Sequence, residues 1–336
     1  MKQQQVLVTG GTGFLALHLI AQLLERNYAV KTTVRSDAKG EQVKAALLQR
    51  QVAHSERLTW VVADLTQDAN WDVAMQDVST VMSVAAPVFV SGAHAASEEQ
   101  VARDGIQRIL SAAVSAGVPR VVMTANLGAV GFSALDQRVP VTETMWTDPD
   151  QPGLSPYEKS KLLAERAAWE FAAQHPELEL VTVNAGAMLG PALGQHVSGS
   201  FNLVSRLLAH QAMPNLRVNV VDVRDVAAMH ILAMETPQAA GNRYLAVADT
   251  PVDIQGIRQL LVTQRPQVAD QLTRHLVPTW FVKMLAPVNA TLREAALMIS
   301  LNHDVRNTKA KHQLGWHPQS SAAAAVLAAV DTLLAR

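Results

Sequence analysis

The 336-residue sequence contains no cysteine, which excludes disulfide bonds, thiolate metal ligands and a cysteine nucleophile. It also lacks an excess of charge of either sign, since 28 basic and 29 acidic residues leave a formal net charge of −1. No basic run stands out that could follow a nucleic-acid backbone or an anionic membrane surface. Polyanionic partners are therefore not expected.

Long apolar runs are missing as well, and a spanning helix needs roughly 18 or more apolar residues. Even the alanine-rich tail over residues 322–334 is short and contains Asp331. At the N-terminus, Lys2 and three glutamines lead into a strand without the apolar region and cleavage site of a secretory signal. The sequence predicts a cytoplasmic protein that neither spans nor binds a membrane.

What is present is an alternation of short β-branched runs with apolar-periodic helical segments. The predicted strands are residues 6–9, 29–34, 58–63, 80–85, 118–124 and 180–183. Buried strands joined by helical crossovers indicate an α/β protein with a Rossmann-type, doubly wound parallel sheet. A further strand and helix over residues 218–234 are expected to return to this sheet.

The alternation of strand and helix segments becomes less regular after Asn184, and the C-terminal third is predicted to be mostly helical. We predict a dinucleotide-binding domain over residues 1–190 and 215–249. Residues 191–214 and 250–336 are predicted to form a smaller, mostly helical substrate-binding lid over the carboxyl ends of the strands.

A glycine-rich turn, Gly10–Ala16, follows the first strand and opens the first helix. In this position backbone N–H groups and the positive helix end can hold a pyrophosphate. Gly10 permits the tight turn and Gly13 lets the pyrophosphate approach the backbone. A glycine turn of purely structural use is the alternative. The predicted dinucleotide contacts in this turn are Gly10, Thr12, Gly13, Phe14 and Leu15.

Arg35 directly follows the second strand, where an acid would bind the ribose of NAD and a base the 2′-phosphate of NADP. Its fork-shaped guanidinium suits a phosphate, and Lys39 adds a point charge. Asp37 could serve a ribose instead, so NAD remains the less favoured alternative to NADPH. The other predicted cofactor contacts, at the ends of the third, fourth and sixth strands, are Asp64, Leu65, Ala85 and Ala185. Of these, Asp64 could equally be a helix cap.

Tyr157 and Lys161 lie four residues apart at the start of a long predicted helix, so both face one side of it. An unperturbed tyrosine has a pKa of about 10, and a nearby cation favours the phenolate. We expect Lys161 to lower the pKa of Tyr157 toward general acid–base work. The spacing alone also occurs in chance surface pairs, but beside a glycine loop in an α/β unit it predicts a catalytic pair.

These motifs resemble the extended short-chain dehydrogenases, and within them the dihydroflavonol reductase and aldehyde or methylglyoxal reductase group. The segments that carry the resemblance are 8–14, Arg35, 157–161, 183–186, 221–227, 307–310 and 314–316. The resemblance implies NADPH-dependent reduction of an aldehyde or ketone carbonyl on a small-molecule substrate. It also implies that Tyr157 donates the proton and that Lys161 holds the nicotinamide ribose.

The resemblance further implies a serine or threonine that hydrogen-bonds the substrate carbonyl at the end of the fifth strand. This sequence has Thr124-Ala125-Asn126 where the group usually has Thr-Ser-Ser, so Asn126 occupies the serine position. The Asn126 amide can still donate to an oxyanion. Thr124 is the alternative donor.

Two other functions compete with carbonyl reduction: a nucleotide-sugar epimerase or dehydratase with bound NAD, and a nonenzymatic NADPH-sensing protein. The resemblance implies an acidic pair after Thr124 in dehydratases, which is missing here, and no Tyr–Lys pair in sensors, which is present. The eleven histidines show no metal-ligand spacing, so no metal site is predicted. The particular carbonyl compound, and the choice between a monomer and a homodimer, stay open.

Overall fold

A computed structural model describes residues 4–86, 95–273 and 275–336. The strands are β1 (Gln5–Val8), β2 (Ala29–Val34), β3 (Leu58–Val62), β4 (Val78–Ser83), β5 (Arg120–Asn126), β6 (Glu179–Ala185), β7 (Ala187–Leu189), β8 (Arg217–Val218), β9 (Val220–Asp222), β10 (Arg243–Ala246) and β11 (Val252–Asp253). The helices are α1 (Phe14–Glu25), α2 (Asp37–Gln49), α3 (Trp71–Met75), α4 (Ala95–Ser115), α5 (Gly128–Gly131), α6 (Pro156–Gln174), α7 (Asn202–Leu208), α8 (Val223–Glu235), α9 (Ile254–Gln264), α10 (Thr279–Leu285), α11 (Ala290–Ser300), α12 (Thr308–Leu314) and α13 (Ala322–Leu334).

One seven-stranded sheet organises the described residues, in the order β10-β6-β5-β4-β1-β2-β3. All its neighbouring strands pair in parallel. From β1 the chain moves outward through β2 and β3, crosses back to β4 on the other side of β1, and continues to β5, β6 and β10. The predicted fold class, a Rossmann-type doubly wound parallel sheet, is confirmed.

The sheet buries both of its faces, as the alternation in β1 shows. Val6 and Val8 belong to the core cluster that includes residues of α1, α8 and α13. Leu7 points the other way, into the cluster with residues of α4 and α6. Almost all of α1 is buried, and it packs on α8 as well as on the sheet. The N-terminus of α1 is thereby fixed beside the carboxyl end of β1.

A crevice opens where the strand order reverses, because β2 and β4 lead away from β1 in opposite directions. Thr9 ties the two sides of this crevice together. Its Oγ1 accepts hydrogen bonds from the backbone N–H groups of Val84 and Ala85, each at 2.9 Å. Its own N–H donates to the Met82 carbonyl at 3.0 Å. The glycine turn and the end of β4 therefore keep a fixed spacing.

The strand predicted near residue 218 does not return to the main sheet, which corrects that expectation. β9 pairs in parallel with β7, and β8 pairs antiparallel with β11. Only Gly186 separates β6 from β7, and a β-carbon there would overlap the Asn219 carbonyl oxygen. This close approach lets β9 lie against the extension of β6. The seventh strand of the sheet is instead β10, whose four buried residues are too few to show a period.

Among the strand ends that differ from the predicted ones, those of β4 and β5 lie beside the crevice. β5 runs on to Asn126, because its pairing with β6 continues as far as Asn126 opposite Ala185. β4 ends at Ser83, because the next two N–H groups turn to the Thr9 hydroxyl instead of continuing the ladder. The end of β5 therefore reaches further toward the crevice than the sequence predicted.

The helices of the predicted lid pack on one another, with α13 against α7 and α9. Residues of α7, α9, α12 and α13 also share one buried core with α1 and α8. The division into two domains at the predicted boundaries stays a prediction, as does the cytoplasmic location. Within the described ranges, no helix combines the length and the apolar character needed to cross a bilayer.

We expect Gly186→Ala to lower the free energy of unfolding by about 1–3 kcal/mol, because the added β-carbon overlaps a backbone carbonyl that cannot move without displacing β9. Urea unfolding followed by circular dichroism measures the change. Gly199→Ala is the control, since nothing lies within 4 Å of its added β-carbon, and it should stay within about 0.5 kcal/mol of the parent. Equal stability of both variants would contradict the close approach.

Candidate active site

The first turn of α6 carries the predicted catalytic pair, and local sequence explains why the helix begins there. The Ser155 hydroxyl accepts a hydrogen bond from the Glu158 N–H at 3.2 Å, and Pro156 occupies the first helical position. Both are favoured at a helix N-terminus. The body of α6 packs on α4, β5 and β6. Tyr157 and Lys161 are therefore held one turn apart at the carboxyl edge of the sheet.

The structure brings Tyr157 and Lys161 together as the spacing predicts. The Lys161 Nζ lies 5.5 Å from the centroid of the Tyr157 ring. Tyr157 keeps 50% of its surface exposed, so its ring can be reached from outside. Lys161 lines a cavity together with Ala85 and Thr124, at the ends of β4 and β5. Since Ala85 also touches the glycine turn, the pair and the turn share one edge of the sheet.

The electrostatics of the pair differ from the expectation that Lys161 lowers the pKa of Tyr157. Burial lowers the pKa of Lys161 to about 8, opposed by the negative charge of Glu158. Burial raises the pKa of Tyr157 to about 12, and the Glu158 carboxylate adds to the rise. The expected direction is thus wrong for this structure, where burial and the negative charge of Glu158 set the pKa of Tyr157. At neutral pH the phenol keeps its proton.

The hydroxyl of Thr124 is engaged in a hydrogen bond inside the protein. Its Oγ1 lies 2.8 Å from Nε2 of His230, a fully buried residue of α8. Burial lowers the pKa of His230 to about 4, so the ring is neutral near pH 7. Its Nδ1 lies 2.9 Å from the Val226 carbonyl, an acceptor, so the ring proton sits on Nδ1. Nε2 must then accept, and Thr124 donates to it.

Asn126 lies at the last position of β5, opposite Ala185 of β6. Its Oδ1 accepts a hydrogen bond from the Gly128 N–H at 2.6 Å, which fixes the orientation of the amide. Its carbonyl accepts from Asn184 Nδ2 at 3.2 Å, and the Ala185 carbonyl accepts from the next N–H after Asn126 at 2.9 Å. The Gly128 N–H therefore fixes the orientation of the Asn126 amide at the end of β5.

The glycine turn has the form that a phosphate cradle requires. Gly10 has φ 71°, and a β-carbon on it would lie 3.0 Å from the Ala85 β-carbon. The Gly13 N–H closes the turn by donating to the Gly10 carbonyl at 2.9 Å. Within the described chain, the first turn of α1 has neither a side-chain cap nor an acidic residue. The side chains of Phe14 and Leu15 are buried, so these two could reach a phosphate only through their backbone N–H groups.

The end of β2 presents Arg35 to solvent, next to the end of β3. Arg35 is close enough to Asp64 to help lower the pKa of that carboxyl, although hydrogen bonds from Thr66 contribute most. Asp37 accepts a hydrogen bond from the Trp60 indole at 3.1 Å. Lys39 Nζ donates to the Gln42 side chain at 3.0 Å. The nearest acid to Arg35 in sequence is thus already engaged with a tryptophan.

Asp64 and Leu65 follow β3, as the sequence predicts. Asp64 Oδ1 accepts from both the N–H and the hydroxyl of Thr66, each at 2.8 Å. These bonds close a turn and not a helix start, since the next helix begins at Trp71 with Asn70 as its N-cap, so Asp64 is not the helix cap of the alternative. Leu65 lines the same cavity as Lys161. The cavity beside Thr12, about 370 Å³ in volume, lies elsewhere, between α2 and residues 192–196. The larger of these two cavities is therefore not the one that Lys161 lines.

Sequence reasoning missed three residues around this pair: Glu158, His230 and Glu294. Glu158 stands three residues after Ser155, the spacing of a capping box, in which the glutamate side chain would accept from the Ser155 N–H. The structure buries its carboxyl instead and places it near Glu294 of α11. The partner of Thr124 was hard to predict, because His230 is 106 residues away in the sequence. The one sequence signal is the alternation of β5, which assigns Thr124 to one face of the sheet.

The fold and the site define a dinucleotide-binding α/β protein with a Tyr–Lys pair at the switch crevice. The model of the NAD dependent epimerase/dehydratase family matches residues 6–247. The chain belongs to this family, and the predicted extended short-chain type is confirmed.

Individual relatives extend the likeness over most of the chain. Tetraketide alpha-pyrone reductase 2 of Arabidopsis thaliana is 33% identical over 246 residues, which are 70% of this chain and 76% of that protein. A Candida albicans protein, GRP2, provisionally named an NADPH-dependent methylglyoxal reductase, is 33% identical over 297 residues, or 80% and 85% of the two chains. The yeast methylglyoxal/isovaleraldehyde reductase Gre2, solved with NADPH, shares the fold with a TM-score of 0.80 at 22% identity, covering 99% of this chain and 98% of that chain.

The lowered pKa of Lys161 can be measured directly. We expect the side-chain NMR signal of Lys161 to titrate with a midpoint of about 8, because burial disfavours its charged form. Exposed lysines of the same sample should titrate near their ordinary value of about 10.4. Lys161→Arg assigns the signal by removing it. A Lys161 midpoint equal to that of the exposed lysines would contradict the burial of the ammonium.

Proposed function

We propose that this protein reduces an aldehyde or ketone carbonyl to an alcohol with hydride from NADPH, and that Tyr157 donates the proton. One observation carries the proposal: Tyr157 and Lys161 meet at the same sheet edge as the glycine turn, linked to it through Ala85. A dinucleotide lying across the switch crevice on the turn would point toward this edge. The predicted class of NADP-dependent oxidoreductase agrees with the relatives, which are named reductases.

The residues present fit NADPH. Gly10, Gly13 and the uncapped first turn of α1 would hold the pyrophosphate through backbone N–H groups. Arg35 would bind the 2′-phosphate, since its guanidinium is exposed at the end of β2. Asp37, the acid that could have favoured NAD, is engaged with Trp60. The bound coenzyme supplies the hydride, and the protein orients it.

Tyr157 is suited to act as an acid. Reduction of a carbonyl needs a proton on the oxygen, and a phenol with a pKa of about 12 holds that proton at neutral pH. Once the proton has left, the ammonium of Lys161, 5.5 Å from the ring, stabilises the phenolate. Lys161 would also hold the nicotinamide ribose. The alcohol product carries the transferred proton, and solvent reprotonates the half-exposed tyrosine.

Asn126, rather than Thr124, polarises the carbonyl in this proposal. The single hydroxyl proton of Thr124 is committed to His230. The amide of Asn126 has two N–H donors and a fixed orientation at the end of β5. A preoriented donor of this kind stabilises the charge that develops on the carbonyl oxygen.

The reaction itself is tested by following NADPH and NADH oxidation with a panel of aldehydes, α-dicarbonyls, ketoesters and a dihydroflavonol. We expect at least one carbonyl class to be reduced, with NADPH preferred. NAD that stays bound through purification, with no consumption of added NADPH, would instead indicate an epimerase or dehydratase.

We expect Tyr157→Phe to lower kcat by about 10²–10⁴-fold, because the phenol proton is lost while the ring remains. NADPH binding, measured by fluorescence titration, should be unchanged. Tyr28→Phe is the matched control, since the Tyr28 hydroxyl donates to Glu235, far from the Tyr–Lys pair. Near-normal turnover of Tyr157→Phe would remove tyrosine from the mechanism.

We expect Arg35→Ala to raise the KM for NADPH about 10- to 100-fold, because a charge-assisted hydrogen bond of about 1.5–3 kcal/mol is lost. The KM for NADH should not change. Arg26→Ala, which removes an exposed arginine paired with Glu235, controls for general charge effects. An equal effect on both coenzymes would show that Arg35 does not read the 2′-phosphate.

A further inference from the structure

Trp60 of β3 binds the acid in the first turn of α2. Its indole N–H donates a hydrogen bond to Oδ1 of Asp37 at 3.1 Å, although the two residues are 23 positions apart in the chain. Asp37 is the first residue of α2 and stands two positions after Arg35. An acid at this place in a dinucleotide-binding fold can accept hydrogen bonds from the ribose hydroxyls of NAD. The contact with Trp60 therefore concerns the choice of coenzyme.

The register of the sheet sets the level at which the indole lies. Trp60 pairs with Thr32, two residues before Val34, the last residue of β2. At a rise of about 3.3 Å per residue, this position is roughly 7 Å from the carboxyl edge of the sheet, where a dinucleotide lies. Side chains stand nearly perpendicular to a sheet, so the indole stays at this level, against the first turn of α2. The Asp37 carboxylate is therefore held below the edge.

Gly40 makes the close approach of the indole possible. A β-carbon at residue 40 would overlap three atoms of the Trp60 indole, including Nε1. Glycine is less favourable than alanine inside a helix, and Gly40 is a buried residue inside α2. The indole is thus the group that excludes a larger residue here. Trp60 also packs against the core cluster that contains Val43 and Leu47 of α2, so α2 and β3 together fix the position of its N–H.

The position of the Asp37 carboxylate decides the charge at the end of β2. A carboxylate beside the 2′-phosphate of NADPH would repel it, whereas the ribose hydroxyls of NADH would gain an acceptor. Asp64, the other acid near Arg35, is held by the Thr66 N–H at 2.8 Å. With Asp37 held by Trp60, the exposed guanidinium of Arg35 sets the charge that the coenzyme meets.

We propose that Trp60 is a specificity-determining residue for the coenzyme, because its indole N–H holds Asp37 below the sheet edge and thereby favours NADPH over NADH. The inference rests on the proposed binding of the 2′-phosphate by Arg35. Trp60 does not touch the coenzyme and acts only through Asp37, which makes it a positioning residue. Gly40 acts one step further away, by leaving room for the indole.

The test is a double-mutant cycle of Trp60→Phe and Asp37→Ala, with the Kd values of NADPH and NADH measured by isothermal titration calorimetry. Trp60→Phe removes the indole N–H and keeps an aromatic ring against α2. We expect it to weaken NADPH binding and to strengthen NADH binding by about 3- to 10-fold each, so that the preference for NADPH falls about 10- to 100-fold. Asp37→Ala should keep the preference within about threefold of the parent, and adding Trp60→Phe to it should change nothing further.

Opposite changes for the two coenzymes separate positioning from a structural effect, because damage to α2 would weaken the binding of both. Trp169→Phe is the matched control: its indole N–H also donates to a carboxylate, that of Glu165 at 3.4 Å, but it lies on α6. Both of its Kd values should stay within about threefold of the parent. An unchanged preference in Trp60→Phe, equal weakening of both coenzymes, or a fall that persists in the Asp37→Ala background would overturn the role of Trp60.

Failure of this inference can be told apart from failure of the proposed function. NADPH binding that depends on Arg35 but not on Trp60 would refute the inference and leave the proposed function intact. A parent protein that binds both coenzymes equally would refute the preference for NADPH, and the role of Trp60 with it. Calorimetry requires no turnover, so neither outcome depends on finding the carbonyl substrate.

The contact itself can be measured without coenzyme. The indole N–H signal of Trp60 in ¹H–¹⁵N NMR spectra, assigned by its loss in Trp60→Phe, should shift in Asp37→Ala because the acceptor is removed. It should also shift in Gly40→Ala, because the added β-carbon displaces the indole. The indole signal of Trp169 should stay in place in both variants. A Trp60 signal that is the same in the parent and in Asp37→Ala would refute the contact.

Discussion

The parallel pairing of β4, β5 and β6 is the constraint on which the rest of the site depends. Parallel strands end at the same edge of a sheet, so Asn126 and Ala185 arrive side by side, next to the strand that ends at Ser83. The reversal of strand order at β1 then places the glycine turn at the same edge. The position of the crevice and that of the Tyr–Lys pair thus follow from one backbone arrangement, and side chains only refine it.

The first turns of α6 concentrate charge in surroundings that disfavour it. Burial lowers the pKa of Lys161 and raises that of Glu158, so both charged forms are less stable here than in water. Their mutual attraction offsets part of this cost. Such opposed shifts within one cleft are typical of functional sites, where stability is given up for chemistry.

Several features of the site were predictable from residues that are close in sequence. The glycine turn follows β1 directly, Arg35 follows β2, and Tyr157 and Lys161 share a helix face by their spacing alone. Three other features of the site could not be predicted from residues close in sequence. Asp37 is engaged by Trp60, 23 residues away, and Thr124 by His230, 106 residues away. The direction of the Tyr157 pKa shift depends on burial, which the sequence does not state.

The position of β10 and the departure of β9 from the main sheet could not be predicted from local sequence either. A four-residue buried strand has no period to detect, and the approach of Asn219 to Gly186 joins segments more than thirty residues apart. The sequence by itself determined the doubly wound fold class, the glycine turn after β1 and the spacing of the tyrosine and lysine, because local periodicity and turn chemistry encode them. Tertiary structure alone decided which polar side chains remain available at the crevice and how they are charged, because hydrogen-bond partners and desolvation come from residues distant in the chain.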